Sequence, residues 1–365
     1  MIKKLLLLAL GLLPLATLAQ EATLAKPLKE KIVTYSSTNN NAGILVLTGK
    51  NDSISTYAVG YADAGEKTPV TNDHLFEIGS ASKIFTAIAI FQLIEENKLS
   101  LHTTLNTLYP GGEIKALANY EGQNYWDQVT VEMLLNHTSG FIDYLNAYGS
   151  DEEALKAFSR EKEYTFDELI CLSASHGDAN FVPGSRFKYS NTNYIILGDI
   201  ISKVSEMHWK TYIQRNILEK AGLKNTFFGS EISPENHQRL MTGYYGNKIT
   251  QIPYSLAGSA GEIISNLYDL HKFLLFWSEG KFYKNPNTFQ QQLSTGVHNM
   301  SPKSNLVKYA LGTMMVGEMV GHGGQTFGFQ SYLAINPRTH DVCVIGINNA
   351  AVSSISLLVN LMEMN

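Results

Sequence analysis

Cysteine is nearly absent: the 365 residues contain two, Cys171 and Cys343. Each lies in an apolar segment, and thiols so far apart in sequence read as buried, unpaired core residues rather than a bridge. Charge is scarce too, at 17% of residues, and neither sign dominates: 28 lysines and arginines face 33 acids, for a formal charge of -5. With no basic cluster, nucleic acid is excluded as a partner. The ten histidines show no His-x-His or His-Glu-x-x-His spacing, so no metal is expected, and nothing calls for another cofactor. Internal repeats, low-complexity tracts and an appended domain are missing as well.

What the chain does have is apolar bulk. Hydrophobic residues make up 44% of it, enough to bury a large core in one domain or two intimate subdomains. Met1-Ile2-Lys3-Lys4, the apolar residues 5–18 and Ala19-Gln20 read as a secretory signal peptide, too short for a bilayer span of about 20 residues. No cysteine follows it to carry a lipid. The expectation is a bacterial periplasmic or secreted protein in which residues 1–19 are removed and residues 20–365 form one domain with no membrane span.

Ser80-Ala81-Ser82-Lys83 puts a hydroxyl one helical turn ahead of a lysine. The run that follows, Ile84-Phe85-Thr86-Ala87-Ile88-Ala89-Ile90-Phe91, reads as a helix that is apolar on nearly every face and therefore buried. Burial disfavours an ammonium, so the Lys83 pKa should fall until the amine can accept a proton from Ser80 on the same face. Opening the helix, Ser80 would also offer an unpaired N–H to an oxyanion at the positive end of the dipole. Ser-x-x-Lys recurs at Ser159/Lys162, Ser185/Lys188 and Ser278/Lys281, but in polar segments where the lysine would be solvated.

Two more segments carry chemistry. Tyr189-Ser190-Asn191 precedes another apolar helix. A phenol beside a cation becomes a proton shuttle with a lowered pKa, and the Asn191 amide can orient the lysine. Gly321-His322-Gly323-Gly324-Gln325 has glycines where a strand carries side chains, which marks a place where a ligand approaches the backbone. There His322 could present a donor to a substrate, and the Gln325 N–H could complete an oxyanion hole.

These segments, in this order, resemble the penicillin-recognising serine hydrolases: class C β-lactamases, D-alanyl-D-alanine carboxypeptidases, D-aminopeptidases and β-lactamase-like esterases. The likeness extends to Phe76-Glu77-Ile78-Gly79, Lys98-Leu99-Ser100-Leu101, Leu134-Leu135-Asn136-His137-Thr138-Ser139-Gly140 and Ala257-Gly258-Ser259-Ala260-Gly261-Glu262-Ile263-Ile264-Ser265. It implies that Ser80 is the acylated nucleophile, Lys83 its partner in proton transfer and Tyr189 the general base. Asn191, His322, Gly323, Gly324 and Gln325 would contact the substrate, with the N–H groups of Ser80 and Gln325 as the oxyanion hole. The substrate would be a small molecule or peptide: a peptidoglycan-type D-alanyl peptide, an amide, an ester or a β-lactam. A non-catalytic cell-wall peptide-binding protein is the alternative from another class. One departure concerns charge: His322 stands where class C enzymes carry lysine, so a carboxylate-bearing β-lactam lacks its permanent cation.

The implied fold is α+β and β-lactamase/transpeptidase-like. Strand patterns gather at the two ends, at residues 43–47 and 54–60 joined by a polar turn, and at residues 330–335 and 342–347. The middle is mostly helical, with residues 151–158 and 267–277 as clear cases. An antiparallel sheet built from both ends, about 20–78 plus 255–365, would carry a helical subdomain at about 79–254, with the site between them. Residues 281–304 are polar enough to read as a mobile loop.

Overall fold

The computed structural model describes residues 26–354 and 357, apart from 41, 146–147, 149–150 and 159–161; the segment read as an export signal lies outside them. Alternating apolar residues at the two ends of the chain build the main sheet. Strands β1 (Ile44–Lys50) and β2 (Ser53–Val59) form a hairpin about Asn51-Asp52, with Asn51 in the left-handed region at φ 51°. Far along the chain, β6 (His298–Ser301), β7 (Ser304–Tyr309), β8 (Met314–Val316), β9 (Met319–Gln325), β10 (Gln330–Ile335) and β11 (Asp341–Ile347) follow as a meander. The order is β6-β7-β8-β9-β10-β11-β1-β2, antiparallel throughout, and β1 pairs with β11 from Ile44↔Ile347 to Lys50↔Asp341. The sheet is thus made from both chain ends.

The strand period of two divides its residues between two faces. Leu45, Leu47, Leu333, Ile335, Val342 and Val344 enter the large interior core, whereas Ile44, Val46, Tyr332, Ala334, Cys343 and Ile345 meet Ile32 of helix α1 (Lys26–Thr38) on the other side. On the interior face lie α2 (Ser82–Glu95) and, beyond the short α3 (Val131–Leu135), α4 (Asp151–Ala157) and α5 (Phe166–Ser175), the helix α6 (Asn191–Ser205), which packs on α2, α3 and α5. Helix α7 (Leu267–Ser278) returns to cover β1, β10 and β11, and its Phe273 stacks on Phe85 of α2 with ring centroids 3.9 Å apart. The fold is the expected α+β architecture.

A small sheet joins the two parts. Strand β5 (Ile263–Ser265) pairs with β3 (Phe76–Glu77) on one edge and with β4 (Phe227–Phe228), from the middle of the chain, on the other. Because β3 runs straight into Ser80, this pairing sets where the hydroxyl points.

Two expectations are corrected. Residues 281–304 are no loop: α8 (Asn287–Ser294) buries Phe289 and Leu293, and β6 and β7 form a hairpin at the sheet edge. Polar residues at one face of a helix and on an edge strand had hidden the apolar spacing. Cys171 is exposed, because it falls on the outer side of α5, while Leu169 and Ile170 face inward; only Cys343 is buried, and burial pushes its thiol up to about 12. Both thiols are free.

Candidate active site

Gly79 and Ser80 occupy a 3-10 turn, Gly79–Ala81, and the α-helix begins only at Ser82. Gly79 adopts φ 51°, a conformation that disfavours side chains, and a Cβ there would lie 2.8 Å from the Gln325 backbone nitrogen. The turn therefore brings Ser80 against the end of β9. Strand β8 covers β9 only as far as Met314↔Gly321, so the edge from His322 to Gln325 is open on that side. The Thr326 N–H bonds Phe329 O, and the alternation of an antiparallel ladder turns the Gln325 N–H away from β10, towards the Ser80 turn. The close approach needs Gly324: a Cβ there would lie 1.9 Å from Ile78 O and 2.3 Å from Ser331 Oγ, the hydroxyl that donates to Ile78 O at 2.7 Å. Gly324→Ala is expected to cost about 1–3 kcal/mol of stability by overpacking. A shift of about 1 Å in β9 would also lower kcat about 100-fold; thermal melts and initial rates check both.

Lys83, on α2, is 0% exposed. Its Nζ lies 3.0 Å from Ser80 Oγ and donates to Asn191 Oδ1 and Ala260 O, each at 2.8 Å. Both carbonyls are acceptors only. In the neutral amine they take both hydrogens and leave the lone pair for the Ser80 proton. Burial brings the Lys83 pKa down to about 7, partly offset by the charge of Asp143. Ala260 is held by its neighbours: Thr86 Oγ1 of α2 donates to Ser259 O at 2.7 Å, and Ser259 Oγ to Tyr194 O of α6 at 2.8 Å.

Tyr189 reaches the same point from the segment before α6, with Lys83 Nζ 5.0 Å from its ring centroid. Its hydroxyl is buried next to Ser80. The expected fall in its pKa does not occur: burial raises it well above 10, and the Ser80 hydroxyl only moderates this. Desolvation of a phenolate outweighs the help of an ammonium that is itself half deprotonated near pH 7. His322 is 0% exposed and lies behind Tyr189, their ring centroids 6.3 Å apart, with its Nε2 3.1 Å from Tyr309 OH. Burial and the Lys83 charge hold it neutral, with a pKa of about 3. The structure thus gathers Ser80, Lys83, Tyr189, Asn191 and Gln325 around one point, with Gly324 beneath them and His322 in a layer behind.

A cleft of about 320 Å³ opens on Ser80, Asn191 and Gln325. Its wall is apolar and aromatic, including Tyr144, Leu145, Ile252, Tyr254 and Phe327, and its charged lining residues are two acids, Glu77 and Glu262. Burial raises both carboxyls to about 7; for Glu262 the Lys210 ammonium, 2.9 Å from Oε1, works against the rise. Among the described residues, no lysine or arginine lines the cleft. Sequence reasoning passed over Asp143, Glu77, Glu262 and the Ala260 carbonyl. Glu77 and Glu262 lie inside segments that carry the family likeness, but a backbone carbonyl has no signature in a residue pattern.

A serine one turn from a buried lysine, facing an open strand edge between a sheet and a helical layer, is the site expected of the penicillin-recognising serine hydrolase family. The chain matches the Beta-lactamase family over residues 28–360 and belongs to it. It is 31% identical over 206 residues to penicillin-binding protein 4* of Bacillus subtilis, covering 56% of this chain and 42% of that protein. It is 27% identical over 323 residues to protein flp of Staphylococcus aureus, covering 84% and 59%. The chain thus spans about half the length of the curated relatives it matches. Among solved structures it is similar to a D-amino acid amidase from Ochrobactrum anthropi SV3 (24% identity, 88% of this chain and 91% of that one, TM-score 0.74). A D-stereospecific amidohydrolase from Streptomyces sp. matches at 21% identity over 92% and 98%, with a TM-score of 0.75.

Proposed function

We propose that this protein hydrolyses amides or esters of small peptides and D-amino acids through an acyl-enzyme on Ser80. The observation that carries the reading is the wiring of Lys83, whose hydrogens go to Asn191 Oδ1 and Ala260 O while Ser80 Oγ lies 3.0 Å away. The Ser80 proton passes to Lys83 as Oγ attacks the carbonyl carbon. The N–H groups of Ser80 and Gln325 take the oxyanion, each worth about 3 kcal/mol in hydrolases of this kind. Tyr189, kept protonated, relays the proton from Lys83 to the leaving nitrogen or oxygen. Water then attacks the ester by the reverse route and frees Ser80.

The cleft supports substrates without a carboxylate near the scissile bond. Among the described residues its acidic or basic lining side chains are Glu77 and Glu262, and His322 is neutral. An amide with an apolar side chain fits this wall, as the names of the amidase and amidohydrolase neighbours suggest. His322→Lys tests the charge argument. A cation behind Tyr189 is expected to raise kcat/KM on a carboxylate-bearing substrate such as benzylpenicillin about tenfold relative to D-phenylalanine amide. An unchanged ratio contradicts it.

A further inference from the structure

Asp143 belongs to none of the sequence motifs, yet it touches the catalytic chain. It follows α3 in a loop, is 6% exposed, and accepts from Asn191 Nδ2 at 2.9 Å through Oδ2 and from the Leu145 N–H at 3.0 Å through Oδ1. A carboxylate only accepts, and a primary amide has one accepting end and one donating end. With Nδ2 committed to Asp143, Asn191 must turn Oδ1 to Lys83, as it does at 2.8 Å. The chain Asp143, Asn191, Lys83, Ser80 is continuous.

The geometry points to Asp143 as a positioning residue: its carboxylate fixes the Asn191 amide with Oδ1 towards Lys83 and sets a negative charge behind that hydrogen bond, and so governs how Lys83 takes the Ser80 proton. This rests on the acyl-enzyme reading. Asp143 exchanges no proton in the step; the Ser80 proton goes to Lys83 Nζ and later leaves with the departing group. The other titratable groups around Lys83 are His137 at the end of α3, Tyr144 beside Asp143, Tyr189 and Tyr194 from the α6 side, Tyr309 of β7 and His322 of β9. The two imidazoles are held neutral and the four phenols protonated. Glu77 and Glu262, on the cleft, act on Tyr254 and Lys210. Among the described residues, Asp143 is the carboxylate whose charge acts on Lys83.

Asp143 also accepts the Asn191 backbone N–H at the start of α6, a structural role that would change stability without changing the Lys83 titration. The test is therefore a direct titration. In full-length protein labelled with [13C,15N]lysine, the Lys83 signal is assigned by its loss in Lys83→Arg and followed by NMR against pH. Asp143→Asn keeps size and an accepting oxygen but removes the charge. It is expected to lower the Lys83 midpoint by about one pH unit, and to move the acid limb of kcat/KM to lower pH by the same amount. An unmoved midpoint in folded Asp143→Asn, or in Asp143→Ser should the first variant not fold, overturns the inference. A lowered midpoint in a protein whose Ser80 takes no acyl group would uphold the coupling and refute the hydrolase reading instead.

Discussion

Ser80→Ala is expected to lower kcat by about 10⁴- to 10⁶-fold, leaving only the residual rate that binding and the oxyanion donors provide. The loss should fall on kcat rather than KM, because the cleft wall from Tyr144 to Phe327 is untouched. Stability should hardly change. Ser80 Oγ is one of three oxygens around Lys83 Nζ, and Asn191 Oδ1 and Ala260 O remain. Steady-state rates with thermal melts on the same preparation separate a missing nucleophile from a damaged fold. A variant retaining a tenth of the wild-type rate would mean that the hydrolysis happens elsewhere.

Lys83→Met carries the second large effect, with opposite consequences for activity and for the pH dependence of stability. Activity should fall about 10³-fold or more, since among the described residues Lys83 Nζ is the nitrogen within hydrogen-bond distance of Ser80 Oγ, at 3.0 Å. For stability the sign follows from linkage. The folded pKa of about 7 lies below the ordinary 10.5, so between these values the unfolded chain binds more protons and wild-type stability rises with pH. The burden of burying an ammonium is complete below about pH 7 and gone above about 10.5. Methionine never carries it. The variant's stability relative to wild type should therefore be most favourable below pH 7 and worsen by roughly 4 kcal/mol towards pH 10.5. At the alkaline end the variant should be the less stable, because Asn191 Oδ1 and Ala260 O lose a donor at about 1–3 kcal/mol each. Urea unfolding at a series of pH values checks the slope; parallel curves would mean that Lys83 is not buried as an amine. The same pKa places the acid limb of kcat/KM near pH 7, with activity rising as Lys83 loses its proton.

Much of the architecture was readable because it rests on local patterns. Alternation in residues 44–47 and 342–347 announces a two-faced sheet, and the apolar run after Lys83 announces a buried helix. Spacing alone predicted that Lys83 would lie beside Ser80, and burial of α2 explains its pKa. Other features depend on what meets what in three dimensions. Tyr189 was expected to titrate low because a cation is near; the depth of its pocket reverses the direction. His322 was expected to meet substrate, but Tyr189 and Tyr309 enclose its ring. Asp143 was passed over because it acts through the flip state of another residue's amide, which no residue pattern displays. Residues 281–304 look like a loop until Phe289 and Leu293 find the core.

The central claim is a covalent ester on Ser80, and acid-quenched intact-mass spectrometry with peptide mapping tests it most directly. The protein is mixed in excess substrate with D-phenylalanine methyl ester and, separately, benzylpenicillin, with Ser80→Ala alongside. The account predicts a mass increase equal to the acyl group, located on the peptide containing Ser80, absent from the variant and decaying as product appears. Product formation with no adduct on Ser80 at any quench time, or an adduct that persists in Ser80→Ala, would contradict it.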